Sequence, residues 1–216
     1  KILAPRPTQS DTVSGPGWSS ILTGVWADKH QVNDNKFSRP RFGEFPHFFA
    51  RVKAYQREAR TVSIVDWPAI AQHIVSHADL SRSFGDDKEY YEPDRQVTAA
   101  VIEELTHQNP VALFVYLGQV DHFGHKHGFH PAVTEYTDAI RRVDAHLGQI
   151  LEALRSRASA GEEDWLILVT SDHGGQGTGH GDGHQVPEIV NSFMIVSGAA
   201  AARGRIQEQT YLVDVP

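Results

Sequence analysis

A chain of 216 residues with 40% hydrophobic content is long enough to bury a core and is most simply one domain. Its formal charge of -7, with no basic run, argues against a nucleic-acid polymer as partner, and no apolar stretch reaches the roughly 18 residues of a membrane span. The absence of cysteine excludes disulfides and zinc-thiolate sites and leaves the compartment open. Along the chain, the small residues and proline from Thr12 to Trp18 lead into a short apolar stretch that stops at Gly24, the pattern of a turn entering a helix with Ser14 near its N-terminus. That position favours a bound phosphate oxyanion and a developing alkoxide; the plainer reading makes Ser14 an N-cap. Thr61 to Val65 reads as a short strand, followed by Trp67, Pro68 and a short helix to Val75. Residues 84–92, polar and aromatic, read as an insertion loop near the site, and Asp94 as the N-cap of a helix to about His107 with Val97, Val101, Ile102 and Leu105 on one face.

Residues 111–117 form a continuous apolar run between Pro110 and Gly118, the pattern of a strand buried on both faces, and residues 165–170 repeat it. Between them a helix with Pro131 in its first turn carries Tyr136, Ile140, Val143, Leu147, Ile150, Leu151 and Leu154 at three- and four-residue spacing. Residues 193–196 make another strand. Such alternation predicts an α/β fold, an α/β/α sandwich with a mostly parallel central sheet, and neither a repeat nor a linker interrupts it.

The chemistry lies beyond the two apolar strands. Asp121, His122, Gly124 and His125 follow the first; Ser171, Asp172, His173, Gly174 and Gly175 follow the second, and a glycine-rich loop then supplies His180 and His184. A carboxylate and a neutral imidazole together suit Zn²⁺, Mn²⁺ or Fe better than Mg²⁺ or Ca²⁺. In an open parallel sheet, ligands collect where strands end, so both groups are expected at one edge. Asp121 and His125 can share one side of a helical turn or compact loop, with Gly124 leaving room. His122, His127 and His130 read as loop residues or outer donors, Asp144 and His146 as solvated helix positions, and Trp18 and Trp26 as either core or pocket wall.

Thr12-x-Ser14-Gly-Pro-Gly-Trp-Ser19, Leu22-Thr-Gly24, Lys29-His30 and Asp34-Asn35, followed in order by Asp121-x-x-Gly-His125, Ser171-Asp-His-Gly-Gly175 and Gly179-His-Gly181, resemble the alkaline phosphatase superfamily. Within it they are most similar to the type I phosphodiesterase and nucleotide pyrophosphatase branch, over about residues 12–198. The resemblance implies two divalent metal ions, Zn²⁺ above others. One would take Asp121, His125 and His180; the other would take Asp172, His173 and the oxygen of Ser14, the nucleophile, while Asn35 would hold a phosphoryl oxygen. It further implies cleavage of a phosphodiester or phosphoanhydride in a small-molecule substrate through a covalent seryl intermediate, and it favours a periplasmic or secreted setting.

Two departures from the family pattern stand out. The family's first strand ends in Asp-Gly, whose Asp ligates the second metal; that ligand and the family's C-terminal end are absent from this sequence, and Asp11 lies on the wrong side of the nucleophile turn to replace it. This is expected of a piece of a longer protein, or of a weakly held second metal. His180 also comes earlier than the corresponding ligand of nucleotide pyrophosphatases, with His184 as the competing candidate. Three further readings follow: a phosphomonoesterase of the same superfamily, a catalytically weak phospho-ligand binder, and a sulfatase. The last would want Arg where Trp18 stands.

Overall fold

The computed structural model describes residues 2–3, 10–85, 92–206 and 208–215. In chain order the elements are β1 (Ile2–Leu3), α1 (Ser14–Thr23), α2 (Ala27–His30), α3 (Phe48–Tyr55), β2 (Thr61–Val65), β3 (Leu80–Ser83), α4 (Glu92–His107), β4 (Ala112–Tyr116), α5 (Gln119–His127), α6 (Thr134–Arg155), β5 (Ile167–Thr170), α7 (Pro187–Val190), β6 (Asn191–Ser192), β7 (Met194–Ser197) and β8 (Thr210–Tyr211). A π-type turn spans Ile70–Ile74, where a short helix is expected, and a 3₁₀ turn spans Leu212–Asp214. The chain resolves into two compact units, residues 1–48 with 162–216, and residues 49–161. The predicted insertion loop lies largely outside the described residues, at 86–91.

In the central unit, β2 pairs in parallel with β3 on one side and β4 on the other. All five residues of β2 are buried, as expected of the middle strand of a parallel sheet. Ile70, Ile74, Val97, Val101 and Leu105 pack the same core. β4 is half-buried rather than buried on both faces. α6 packs on α4 and α5, burying Ala139 and the predicted Ile150, with Tyr136, Val143, Leu147, Leu151 and Leu154 half-buried; of the predicted stripe, Ile140 is exposed, at 44%. Pro131 precedes α6 instead of lying in its first turn. His146 is half-buried, and burial, then Arg142, lowers its pKa, so it is not the solvated position expected.

Asp94 does not cap its own helix. It is the third residue of α4, fully buried, and its carboxylate accepts the Gly118 N–H at 2.9 Å and the Gln119 N–H at 3.2 Å, capping the N-terminus of α5 from 24 residues away. Arg142 of α6 donates to Gln119 and lies 4.9 Å over the Phe123 ring, so α5 is held at both its start and its middle. Burial, then the neighbouring Asp66 charge, pushes Asp94 up to about 7, against the two N–H bonds; burial likewise raises Asp66 to about 6. A carboxyl whose folded pKa exceeds its unfolded one binds protons more strongly in the native state, so it makes stability fall as pH rises from about 4 towards 7. Asp94→Asn, which keeps an acceptor and removes the charge, is expected to flatten that decline in denaturant titrations across this range.

The unit of residues 1–48 and 162–216 carries the rest. α1, which carries small and apolar residues and no charged one, is buried along its whole length and ends at Gly24, which takes the left-handed conformation (φ 70°). It packs against α2 and the turn containing the fully buried Leu212. β1 pairs with β6 and β8, and β5 pairs antiparallel with β7. The second apolar strand thus joins an antiparallel pair, with Leu168 exposed, and not a parallel sheet buried on both faces. The chain is an α/β fold with a parallel three-stranded sheet. Among the described residues, no helix is long and apolar enough to cross a membrane.

Candidate active site

Ser14 is the first residue of α1, not its cap. Val13 occupies the cap position in extended conformation and offers no side-chain oxygen, while the Ser14 hydroxyl turns instead to His173 Nε2 at 3.2 Å. No acidic residue of α1 itself stands in its first turn, so the positive end of its dipole is left to groups from outside the helix. Asn35 Oδ1 accepts the N–H of Gly15 at 2.6 Å, which places the Asn35 amide beside the Ser14 turn with its NH₂ end as donor.

His173 Nδ1 lies 2.9 Å from the Gly174 carbonyl and must donate to it, so in the neutral ring Nε2 offers a lone pair. Asp172 Oδ2 stands 3.3 Å from that same Nε2. Two electron-rich atoms and the Ser14 oxygen therefore converge on one spot, with both side chains nearly buried. Donor atoms ligating one Zn²⁺ tetrahedrally at about 2.0–2.1 Å stand roughly 3.3–3.4 Å apart, so these separations fit a shared cation.

The approach depends on two glycines. A Cβ on Gly17 would lie 2.8 Å from Asp172 Cβ, and one on Gly15 would lie 2.6 Å from the Asp34 carbonyl oxygen and 2.8 Å from Asn35 Oδ1. Gly17→Ala is therefore expected to displace Asp172 and lower kcat/KM about 10²-fold with helical circular dichroism unchanged, the scale expected when a reacting group moves by about an ångström.

His180 is buried in the same unit, its ring stacked on His173 with centroids 3.7 Å apart. Its Nδ1 donates to the Thr12 carbonyl at 2.9 Å, the bond that ligating histidines make through the nitrogen away from the metal, and this assigns the lone pair to Nε2. His184 is oriented the other way: its Nε2 donates to the Ser10 carbonyl at 2.7 Å, leaving Nδ1 as the lone-pair nitrogen.

In the central unit, Asp121 and His125 lie one helical turn apart on α5, with Oδ2 and Nε2 separated by 3.6 Å, close to the same tetrahedral edge. Gly124 is pressed against the Phe129 ring, which meets His125 edge to face at 5.3 Å. His127 stacks on Phe123 and His122 meets Phe123 edge to face; both lie on α5 and not in the loop expected. Burial lowers the pKa of His122. Trp18 is 6% exposed and belongs to the core; Trp26 packs edge to face on Tyr211. Gly17 and Thr12 had no role in the sequence beyond their places in the motif, and Asp94 read as the cap of its own helix; the partners of all three lie far along the chain.

The family model for type I phosphodiesterase / nucleotide pyrophosphatase matches residues 8–210. Ectonucleotide pyrophosphatase/phosphodiesterase family member 1 of Mus musculus is 26% identical over 184 residues, 76% of this chain and 19% of that protein. Among solved structures, an inactive variant of murine ectonucleotide pyrophosphatase / phosphodiesterase 5, in complex with AMP, matches with a TM-score of 0.53 and 19% identity over 81% of this chain and 48% of that one. Phosphonoacetate hydrolase from Sinorhizobium meliloti 1021, in complex with phosphonoformate, matches with a TM-score of 0.52 and 17% identity over 80% of this chain and 46% of that one. These likenesses show the fold, and this chain spans less than half the length of each of the three.

Proposed function

Because this chain belongs to the type I phosphodiesterase / nucleotide pyrophosphatase family, we propose that it supplies the catalytic centre of a hydrolase that cleaves phosphodiester or phosphoanhydride bonds, with Ser14 as covalent nucleophile. The observation that carries the reading is the convergence of the Ser14 oxygen, His173 Nε2 and Asp172 Oδ2 at the N-terminus of α1. Two divalent cations, Zn²⁺ by the oxygen and nitrogen donor set, would be held by Asp172, His173 and Ser14, and by Asp121, His125 and His180. When bound, such ions lower the pKa of a ligated hydroxyl and neutralise phosphoryl oxygens.

The chain's own groups account for the remaining steps. The Ser14 oxygen attacks phosphorus in line, forming the seryl ester as the leaving oxygen departs; water then cleaves that ester and restores the hydroxyl. The Asn35 amide NH₂ donates to the non-bridging oxygens, whose charge grows in the transition state and is favoured at the positive end of the α1 dipole. The substrate is a small phosphoester, and the AMP bound by the murine relative makes a nucleotide the first class to assay.

Asn35 is a neutral donor. It suits the single negative charge of a diester, whereas a dianionic monoester gains more from a guanidinium clamp. With zinc present, kcat/KM is expected to be at least tenfold higher on a bis-aryl or nucleotide diester than on the matching aryl monoester, and Asn35→Ala should reduce the diester rate. A tenfold preference for the monoester would move the chain to the phosphatase branch.

A further inference from the structure

The segment Ser10 to Thr12 and the loop His180 to His184 lie some 170 residues apart in sequence, yet the Ser10 carbonyl, the Asp11 carboxylate and both the hydroxyl and the carbonyl of Thr12 find partners on the loop. The Thr12 hydroxyl donates to the His180 carbonyl and accepts the Gly183 N–H at 2.8 Å; the Thr12 carbonyl accepts from His180 Nδ1 at 2.9 Å. Asp11 Oδ1 accepts the Asp182 N–H at 2.8 Å and the Thr12 N–H at 2.7 Å, and the Ser10 carbonyl accepts from His184 Nε2 at 2.7 Å. The Asp11 N–H in turn donates to the Asn33 carbonyl at 3.0 Å, two residues before Asn35. Thr12 is 1% exposed, and both His180 and Gly183 are buried.

The loop so held has little order of its own. It contains Gly181 and Gly183 and follows Gly177 and Gly179, and apart from one isolated bridge between Gln176 and Gly179 this stretch has no regular secondary structure, so its conformational freedom in the unheld state is large. A ligand on such a loop is preorganised only by what grips the loop from outside. We propose that Thr12 is a positioning residue: its hydroxyl, supported by Asp11, locks the 180–184 loop so that His180 presents Nε2 in a fixed direction. The strap is covalently continuous with Ser14 two residues on, so the imidazole and the nucleophile are set from one rigid segment. This inference rests on the reading of His180 as a metal ligand.

The test uses the full chain, with zinc affinity measured by competition against a chromophoric chelator and amide hydrogen exchange measured on the metal-free protein. Thr12→Val, which keeps shape and loses the hydroxyl, is expected to weaken zinc binding 10- to 100-fold and to speed exchange at Gly183, the scale typical of losing an outer-shell partner. Thr12→Ser should restore both to within about threefold of the parent. Asp11→Ala, which leaves the hydroxyl in place, should fall between and serves as the test if Thr12→Val does not fold. If His180→Ala weakens zinc binding while Thr12→Val and Asp11→Ala do not, the positioning role is overturned and the ligand reading stands. If His180→Ala itself leaves zinc affinity unchanged, the ligand reading has failed and this inference with it.

Discussion

Ser14→Ala is expected to lower kcat/KM on a phosphodiester by well over about 10³-fold while the chain stays folded and still binds zinc. The size of the loss follows from the chemistry: a methyl group cannot form the seryl ester, and what remains is the weaker catalysis of oriented donors acting on water. The structure explains why the fold should tolerate the change. Val13, not Ser14, occupies the cap position of α1, so no side-chain cap is lost, and alanine is the stronger helix former at a buried first-turn site. The thermal midpoint should therefore stay close to that of the parent. Loss of one oxygen donor from the Asp172 and His173 set should weaken the second cation far less than loss of either of those residues. A variant that kept its rate within tenfold of the parent would mean that Ser14 does not attack and that water does.

How much of this could be read from the sequence depended on whether the deciding contact was local. The strand at Thr61–Val65 matched residue for residue, and the helix after the nucleophile turn stopped at Gly24 as expected, because apolar runs and a left-handed glycine are written in adjacent residues. The pairing of Asp121 and His125 was equally legible, since one helical turn separates them. Contacts between distant segments were not. β5 looked like a buried parallel strand, but its only strand partner among the described residues is the antiparallel β7, and an apolar run carries no record of its partner. Asp94 had the place and chemistry of an N-cap, yet burial turned its carboxylate to another helix. Ser14 also had cap chemistry, and only the position of His173, 159 residues away, shows that its hydroxyl faces elsewhere. The strap at residues 10–12 was visible only as Thr12 at the head of the motif, because its partners at 180–184 lie some 170 residues on.

Substituting the two loop histidines in turn should separate them sharply. His180→Ala is expected to weaken zinc binding by more than about 10²-fold, beyond the 10- to 100-fold typical of an outer-shell partner, and to abolish turnover at limiting zinc. His184→Ala should leave zinc affinity within about threefold and turnover nearly intact. The asymmetry comes from which ring nitrogen holds the proton. In His180 the proton sits on Nδ1 and is spent on the Thr12 carbonyl, so the outer nitrogen, Nε2, has the lone pair. In His184 the proton sits on Nε2, facing the Ser10 carbonyl, and the lone pair is on Nδ1, an atom enclosed by protein. Ligation through His184 would require breaking the Ser10 bond and turning the ring over inside a loop pinned on both sides by Asp11 and Thr12. His184→Gln offers a second check, because its side-chain amide can still donate to Ser10; it should match the parent in zinc affinity and in Gly183 exchange. The opposite outcome, zinc lost with His184→Ala and kept with His180→Ala, would transfer the ligand role to His184 and require the loop to refold when the metal binds.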